Sequence, residues 1–171
     1  MPNILTVDLI SAPMSTEIAL SAENNAALKV AFQRGASVLY STVHGQSSGF
    51  PMCGILGETL VYGDFIFCNR LDSRFLKCDP ATKQAMPVIG VITTGGDEND
   101  PGIILTYGVL TNDNWNWNMS DPDKLVVYAG YNGTGTQEPI SISGHYGQAL
   151  GVPLSAKTLL FNPSYVLVAS K

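Results

Sequence analysis

The chain has 171 residues, enough for one domain with a sizeable core or for a compact domain that carries an extended arm. Only 13% of the residues are charged while 45% are hydrophobic, so an isolated monomer has little charged surface and burial in an assembly is expected. The net charge of -5 includes no basic run, which argues against direct binding of nucleic acid.

The N-terminal sequence lacks the features of a targeting segment. Residues 1–15 have no basic region followed by a long apolar one. No stretch of the chain approaches the roughly 20 apolar residues of a membrane helix. We therefore expect a protein that is made in the cytoplasm and has no membrane partner.

The N-terminal third of the chain contains two kinds of segment. Residues 1 to about 20 mix apolar residues with prolines without a sustained period, which predicts an extended arm. Residues 21–34 are compatible with a helix capped by Ser21 or with a strand. We favour the strand because apolar residues alternate there, and a second alternating run follows over 38–42. The alternating residues of the first run are Leu28, Val30 and Phe32.

Short predicted strands follow a Gly/Ser-rich loop at 44–49, which places a boundary between an N-terminal arm with its flanking hairpin (1–50) and a β-barrel domain (51–171). Turn residues separate strands about every eight to twelve residues, which predicts an all-β fold, a β-barrel or β-sandwich of short antiparallel strands with an extended N-terminal arm. The predicted strands are Phe65–Asn69, Phe75–Cys78, Met86–Thr93, Ile103–Val109, Lys124–Tyr128, Gln148–Leu154 and, interrupted at Asn162–Pro163, Thr158–Val168.

Cysteine and acidic residues give no metal or disulfide pattern. Cys53, Cys68 and Cys78 are an odd number without a CxxC pair. Cys68 and Cys78 could face each other across a hairpin, but we expect buried free thiols. The acidic turn 97–100 groups oxygen ligands as a calcium loop does, yet it lacks the spacing of an EF-hand, and a solvated hairpin tip is favoured. No metal or other cofactor is assigned.

The sequence contains no recognisable catalytic constellation. His44 and His145 lie in Gly/Ser-rich loops, and neither a nucleophile elbow nor an HExxH spacing accompanies them. A glycan-cleaving enzyme would need paired carboxylates, and the sequence brings no two of them together. We assign no catalytic residues and expect a protein that is not an enzyme.

The most conspicuous stretch is 112–118, where tryptophans alternate with asparagines. Trp115 and Trp117 would lie on one face of an extended strand, with Asn114 and Asn116 beside them. Tryptophan flanked by amides is typical of a sugar-binding surface, since rings stack on sugars and amides bond to hydroxyls. Alternatively, the two rings belong to the barrel core or to a subunit interface.

Five short blocks carry a resemblance that covers roughly residues 55 to 168. In chain order they are GETLVYGDFIF (57–67), FLKCD (75–79), MPVIGV (86–91), DNWNW (113–117) and LGVPLSAKTLLFNPS (150–164). This running pattern resembles a β-barrel module of tailed-bacteriophage structural proteins, which occurs in capsid decoration (cement) proteins, head fibres and tail-fibre segments. The resemblance implies a non-enzymatic virion component, commonly a homotrimer, with no catalytic residues to carry over.

Within that group the sequence favours a compact cap over a fibre, because it has no collagen-like or coiled-coil shaft. We therefore expect a capsid decoration protein on the virion surface that binds the major capsid protein and stabilises the head. The arm would order on neighbouring subunits. The alternative is a receptor-binding knob or fibre tip of a phage head or tail fibre, in which Trp115 and Trp117 recognise a host glycan.

Overall fold

The computed structural model describes residues 16–21, 27–32 and 44–170 of the chain. The chain forms two compact units, Met1–Leu39 and Tyr40–Lys171. The second unit therefore begins before the boundary that the sequence predicts after residue 50. That boundary falls within a strand, Ser47–Ile55, which belongs to the sheet of the second unit.

The first unit contains a two-stranded antiparallel sheet of β1 (Thr16–Ser21) and β2 (Ala27–Phe32). The strand that alternation favours within 21–34 is confirmed over β2. Residues 16–20, expected in an unpaired arm, instead pair with β2. The rest of the predicted arm and the alternating run over 38–42 lie outside the described residues.

The all-β prediction is confirmed: the second unit is a curled antiparallel half-barrel sheet, and the helical content of the described residues is three short 3-10 turns. Its strands are β3 (Ser47–Ile55), β4 (Phe65–Cys68), β5 (Phe75–Lys77), β6 (Gly90–Thr94), β7 (Pro101–Thr111), β8 (Val127–Ala129), β9 (Gly135–Thr136), β10 (Tyr146–Gly147), β11 (Ala149–Ser155), β12 (Thr158–Phe161) and β13 (Val168–Ala169). The 3-10 turns are Lys83–Ala85, Pro122–Lys124 and Tyr131–Gly133.

The long strand β7 lies at the centre of the sheet. The hydrogen-bonded strands follow the order β5-β4-β6-β7-β12-β11-β8-β9. Leu105 of β7 pairs with both β3 and β6, and Val109 pairs with both β3 and β12. A strand has two edges, so β3 lies along one edge of β7 while β6 and β12 share the other. The separate pair of β10 and β13 lies outside this path.

Alternation along the central strands buries two apolar clusters on opposite faces of the sheet. Neighbours such as Phe65 and Ile66, or Leu105 and Ile104, belong to different clusters because successive side chains point to opposite faces. The larger cluster contains Phe65, Cys78, Met86, Val88, Val91, Leu105, Leu110, Trp117, Val127, Ala129, Leu150, Leu159 and Phe161. The smaller contains Leu56, Leu60, Ile66, Phe75, Ile92 and Ile104.

Strand β3 is the largest departure from the predicted elements, since residues 44–49 were expected to form a loop. Most side chains of β3 are exposed, so its sequence lacks the alternation of a half-buried strand. Its conformation comes from pairing with β7 over its whole length. At one point the two backbones come unusually close, where Gly49 pairs with Gly108.

The predicted strand Lys124–Tyr128 begins only at Val127, after a 3-10 turn over Pro122–Lys124, and two further predicted strands are also shorter in the structure. Residues 86–89 precede β6, which begins at Gly90, and only Val168–Ala169 is strand after Phe161. Prolines at 87 and 163 lie in these segments, and a proline donates no ladder hydrogen bond.

The three cysteines are unpaired, as predicted, but they differ in burial. Cys68 lies opposite Phe75 across the β4–β5 hairpin, which excludes the alternative pairing with Cys78. Only Cys78 is buried; Cys53 is exposed on β3 and Cys68 is partly exposed, so the expectation of buried thiols is wrong for these two. Burial raises the pKa of the Cys78 thiol to about 12.

Candidate functional site

The tryptophan–asparagine stretch forms a loop after β7, not the extended strand that the sequence suggested. Its backbone is tied to the turn between β11 and β12. The N–H of Asn112 donates to the carbonyl of Lys157 at 2.9 Å, and the N–H of Trp117 donates to that of Ala156 at 2.8 Å. These bonds fold the loop back over one end of the sheet and fix the positions of both indoles.

The two indoles contact each other with ring centroids 5.2 Å apart and planes inclined by 46°. Trp117 is only 7% exposed and belongs to the larger core cluster, as the core alternative predicts. Trp115 is half-buried and stacks in parallel on Phe65, at a centroid distance of 5.9 Å and an interplanar angle of 5°. Trp115 therefore keeps accessible surface while its ring is held against the core.

The loop lines one wall of a cleft of about 440 Å³, which we call the Trp cleft. Its other walls are 61–64, before β4, and 133–135, at the start of β9. Small-molecule sites generally have volumes of this order. All four residues that the sequence singled out line this cleft: Asn114, Trp115, Asn116 and Trp117.

The segment 61–64 is a tight turn closed by Asp64. The Asp64 N–H donates to the carbonyl of Val61 at 3.1 Å, and its carboxylate accepts the Val61 N–H at 2.9 Å. Gly63 has a φ of +93°, and a Cβ there would lie 2.1 Å from Asn112 Nδ2. The turn therefore needs glycine both for its conformation and for the close approach of the asparagine.

Two further residues shape the cleft, Tyr62 and Asn112, and neither is among the site residues that the sequence predicts. Asn112 is buried, and its Nδ2 donates to the Tyr62 carbonyl at 3.3 Å while its Oδ1 accepts the N–H of Asn114 at 3.0 Å. Tyr62 Oη lies 3.0 Å from the carbonyl of Thr111, and burial raises the pKa of this phenol to about 12. The turn chemistry of Tyr62-Gly63-Asp64 was visible in the sequence, but its contact with Asn112 was not.

Asn114 and Asn116 differ from Asn112 because both are exposed. Within the described residues, neither side-chain amide makes a hydrogen bond to the protein. An asparagine amide offers two donors and an acceptor, so the rim of the cleft presents unused groups of both kinds. Asp64, the acid in the cleft wall, lies 3.4 Å from Lys77 Nζ, so its charge is compensated locally.

A second feature lies along the outer edge of the sheet, on strand β3. Its nine residues carry no charge, and Phe50, Met52 and Ile55 are 67%, 40% and 45% exposed. Phe50 contacts the exposed ring of Tyr107 across the strand pair at a centroid distance of 6.1 Å. In the described part of the chain, β3 pairs with β7 alone, so its outer backbone edge has no partner strand.

Comparison with protein-family models, curated proteins and solved structures finds no match.

The remaining candidate residues do not form a common site. His44 Nδ1 accepts the N–H of Asp113 at 2.9 Å, whereas His145 Nδ1 lies 2.9 Å from the hydroxyl of Tyr131. Each imidazole thus has its own partner near a different loop. No pair or triad that includes both histidines is formed by these contacts.

The acidic turn 97–100 uses its carboxylates locally. Asp100 Oδ2 accepts the N–H of Asp97 at 2.9 Å, and Asp97 Oδ1 accepts the hydroxyl of Thr59 at 3.2 Å. Among the described residues, no group of three potential metal-binding side chains occurs there or elsewhere. These residues also include no helix that is long and apolar enough to cross a bilayer.

Proposed function

We propose that this chain is a virion structural protein, a capsid decoration protein that binds the major capsid protein and stabilises the head. The observation that carries the proposal is strand β3, an uncharged edge strand with large exposed apolar side chains. The resemblance of residues 55 to 168 to phage structural modules supplies the class of assembly.

An edge strand of this kind needs a cover in the functional protein. In the described part of the chain its outer N–H and C=O groups have no partner strand and are a template for a further strand, whereas proteins usually blunt such edges with charged side chains, proline, short strands or bulges. Strand β3 has two of these devices, Pro51 and the register shift beside it, but it is nine residues long and has no charged residue. A strand from a neighbouring capsid subunit would pair with the N–H and C=O groups of this edge through main-chain hydrogen bonds.

The side chains of β3 support the same conclusion. Phe50 and Met52 point to one face by alternation, and Phe50 extends that surface to Tyr107. Burying a large apolar side chain contributes about 1.5–3 kcal/mol, so a few such residues can anchor an interface. The low share of charged residues fits a chain that is buried in an assembly.

Self-association is part of the proposal, with a homotrimer as the expected state. Light scattering coupled to size-exclusion chromatography should give three times the chain mass of 18.2 kDa. A monomer at every concentration tested would contradict the trimer.

Location on the particle is the direct test of function. Immunogold electron microscopy with an antibody against this chain should label heads at many sites. Label restricted to the tail tip or to sparse fibres would overturn decoration and favour a receptor-binding knob. Particles without label would overturn both.

Charge placed on β3 tests the mechanism of attachment. We expect the double variant Phe50→Lys, Met52→Lys to fold but to lose binding to undecorated heads, because lysine on an edge disfavours strand addition and apolar burial. Leu71→Lys is the control, since Leu71 is 95% exposed and lies in the turn between β4 and β5, outside β3. Undiminished binding of the double variant would rule out β3 as the contact.

Cys53 provides a second readout of the same surface in the unmodified protein. It lies on β3 and is exposed, whereas Cys78 is buried and serves as the internal control. We expect iodoacetamide to alkylate Cys53 in the free protein and to react much more slowly on decorated heads. Equal reaction rates in the two states would place β3 outside the interface.

A further inference from the structure

We infer that the Trp cleft is a binding site for a neutral carbohydrate, with one face of a sugar ring laid on Trp115. This activity goes beyond capsid decoration and does not depend on it. The inference rests on a preorganised aromatic surface, two unused amides, a compensated charge and an indole N–H that has no partner within the described residues.

The indole of Trp115 is held in place by buried aromatic residues. Phe65 is fully buried and lies parallel to Trp115, while the nearly buried Trp117 packs against the same indole. A ring fixed in this way loses little conformational freedom when a ligand binds. The electron-rich face of an indole attracts the polarised C–H groups on the apolar face of a sugar ring.

The polar groups at the rim suit a polyhydroxylated ligand. Asn114 and Asn116 flank Trp115 in sequence, line the cleft and keep their side-chain amides free of protein partners in the described structure. Each amide can donate to one hydroxyl oxygen and accept from another. Asn112, in contrast, is already bonded within the cleft wall and holds the loop in shape.

The charge balance of the cleft favours a neutral ligand. Asp64 is the one acidic residue among its lining residues, and its carboxylate accepts the Val61 N–H and lies 3.4 Å from Lys77 Nζ. At the neighbouring rim, Asp113 pairs with Lys157 at 3.2 Å. With both carboxylates compensated, the cleft offers no unpaired charge to an acidic or a basic sugar.

Trp117 supplies an independent indication of a ligand. Its Nε1 is buried and has no hydrogen-bond partner within the described structure, although Trp117 lines the cleft. Buried N–H groups without partners are rare in folded proteins. Because Nε1 itself is not solvent-exposed, a ligand oxygen would reach it only if the indole moved. Binding should therefore change the environment of Trp117 as well as that of Trp115.

Tryptophan fluorescence is a direct probe, because the chain has two tryptophans and both line the cleft. We expect a saturable change in emission with at least one of glucose, galactose, mannose and N-acetylglucosamine. Saturation-transfer difference NMR should show transfer to the same sugar. N-acetylneuraminic acid and glucosamine, which carry opposite charges, should bind more weakly.

Substitutions at the exposed asparagines distinguish binding from folding. The double variant Asn114→Ala, Asn116→Ala should keep the wild-type melting temperature and lose about tenfold in affinity, as expected for two hydrogen bonds. Asn162→Ala, an exposed asparagine outside the cleft, is the matched control and should bind normally. Trp115→Phe keeps a ring on Phe65 and should bind more weakly than wild type.

Three results would overturn the inference: no saturable response to any of the four neutral sugars, preferential binding of a charged sugar, or an affinity that ignores the asparagine changes. None of these bears on decoration, which is tested by head labelling. Sugar binding together with label restricted to the tail tip or to sparse fibres would instead support a receptor-binding knob.

Discussion

Gln148 shows how one buried polar side chain can take the place of a strand partner. It is 1% exposed, and its Oε1 accepts the N–H of Val88 at 2.7 Å. Its Nε2 donates to the carbonyls of Val88 at 3.0 Å and Ser164 at 2.7 Å. A single side chain thus bonds to three backbone groups of two segments that have no strand partner there. Buried backbone N–H and C=O groups need hydrogen-bond partners, and the glutamine supplies them.

Replacing Gln148 tests how much these hydrogen bonds contribute to the free energy of unfolding. We expect Gln148→Leu to lower the free energy of unfolding by about 2–4 kcal/mol, because leucine conserves the apolar packing but leaves buried backbone groups unpaired. Urea denaturation followed by circular dichroism measures the change.

Gln137 is the matched control for that substitution. It bonds to both backbone groups of Asn118, with its Oε1 2.7 Å from the N–H and its Nε2 3.1 Å from the carbonyl, but it is half-exposed. Water can replace the lost bonds there, so Gln137→Leu should cost less than about 1 kcal/mol. An equal decrease in the free energy of unfolding for the two variants would show that burial does not determine the cost of losing these hydrogen bonds.

The buried thiol of Cys78 and the partly buried phenol of Tyr62 predict a loss of stability at alkaline pH. Burial raises the pKa of Cys78 from 9.0 and that of Tyr62 from 10.0, both to about 12. Each group is neutral when protonated, so a raised pKa means that the folded state holds the proton more tightly than the unfolded state does. Their contribution is complete below the unfolded pKa values and is lost as the pH rises towards 12.

The melting temperature should therefore fall between about pH 9 and pH 12 through these two groups. Cys78→Ser keeps a donor for the Gly130 carbonyl, which lies 3.6 Å from Sγ, but removes the thiol titration. We expect a shallower decline in that variant than in the wild type. Identical profiles from differential scanning fluorimetry would show that Cys78 does not contribute.

At the scale of elements, the contact between β3 and β7 depends on a pair of glycines. Gly49 and Gly108 pair directly and have φ values of +146° and +143°, a region that favours glycine. A Cβ at Gly49 would lie 2.0 Å from the carbonyl oxygen of Tyr107, and one at Gly108 would lie 2.0 Å from that of Ser48. The two strands can approach this closely only without side chains.

Gly108→Ala should destabilise the protein strongly, because β7 pairs with β3, β6 and β12. Backbone strain alone costs about 1–3 kcal/mol, and the overlap with the Ser48 carbonyl adds to it. Gly147→Ala is the control, since a Cβ there meets only the Val168 carbonyl oxygen at 3.7 Å, an ordinary contact. Thermal melts of the two variants that coincide would refute the role of the glycine pair.

At the scale of the molecule, the strands of the half-barrel and its apolar core all lie within the second compact unit. The strands from β3 to β12 that form the sheet all pair within the unit Tyr40–Lys171, and both apolar clusters lie there too. Such a unit is expected to fold independently. The two-stranded sheet of Met1–Leu39 is a separate compact unit.

A chain that starts at Tyr40 should therefore fold and melt cooperatively, with the tryptophan emission of the full chain. If the N-terminal unit binds neighbouring capsid subunits, the same truncation should abolish binding to heads. Circular dichroism and a head-binding assay measure the two outcomes separately. Loss of the cooperative melt would show that the half-barrel depends on the first unit, and retained head binding would exclude a role of that unit in attachment.

The sequence by itself determined the class of the fold, because period-2 alternation and turn residues are local signals. They located most of the strands around the core, such as β4 and β7, and predicted little helix. Composition alone also brought forward the tryptophan–asparagine stretch. It did not decide which ring is buried, since alternation would have placed Trp115 and Trp117 on the same side.

Only the tertiary structure decided the surfaces on which the functional proposals rest. Strand β3 has no apolar alternation, and its conformation comes from hydrogen bonds to β7, far along the chain. The Trp cleft likewise exists because Asn112 contacts the turn at Gly63 and because Phe65 supports Trp115. Such contacts join residues that are distant in sequence, and a local pattern carries no information about which distant partner a residue will meet.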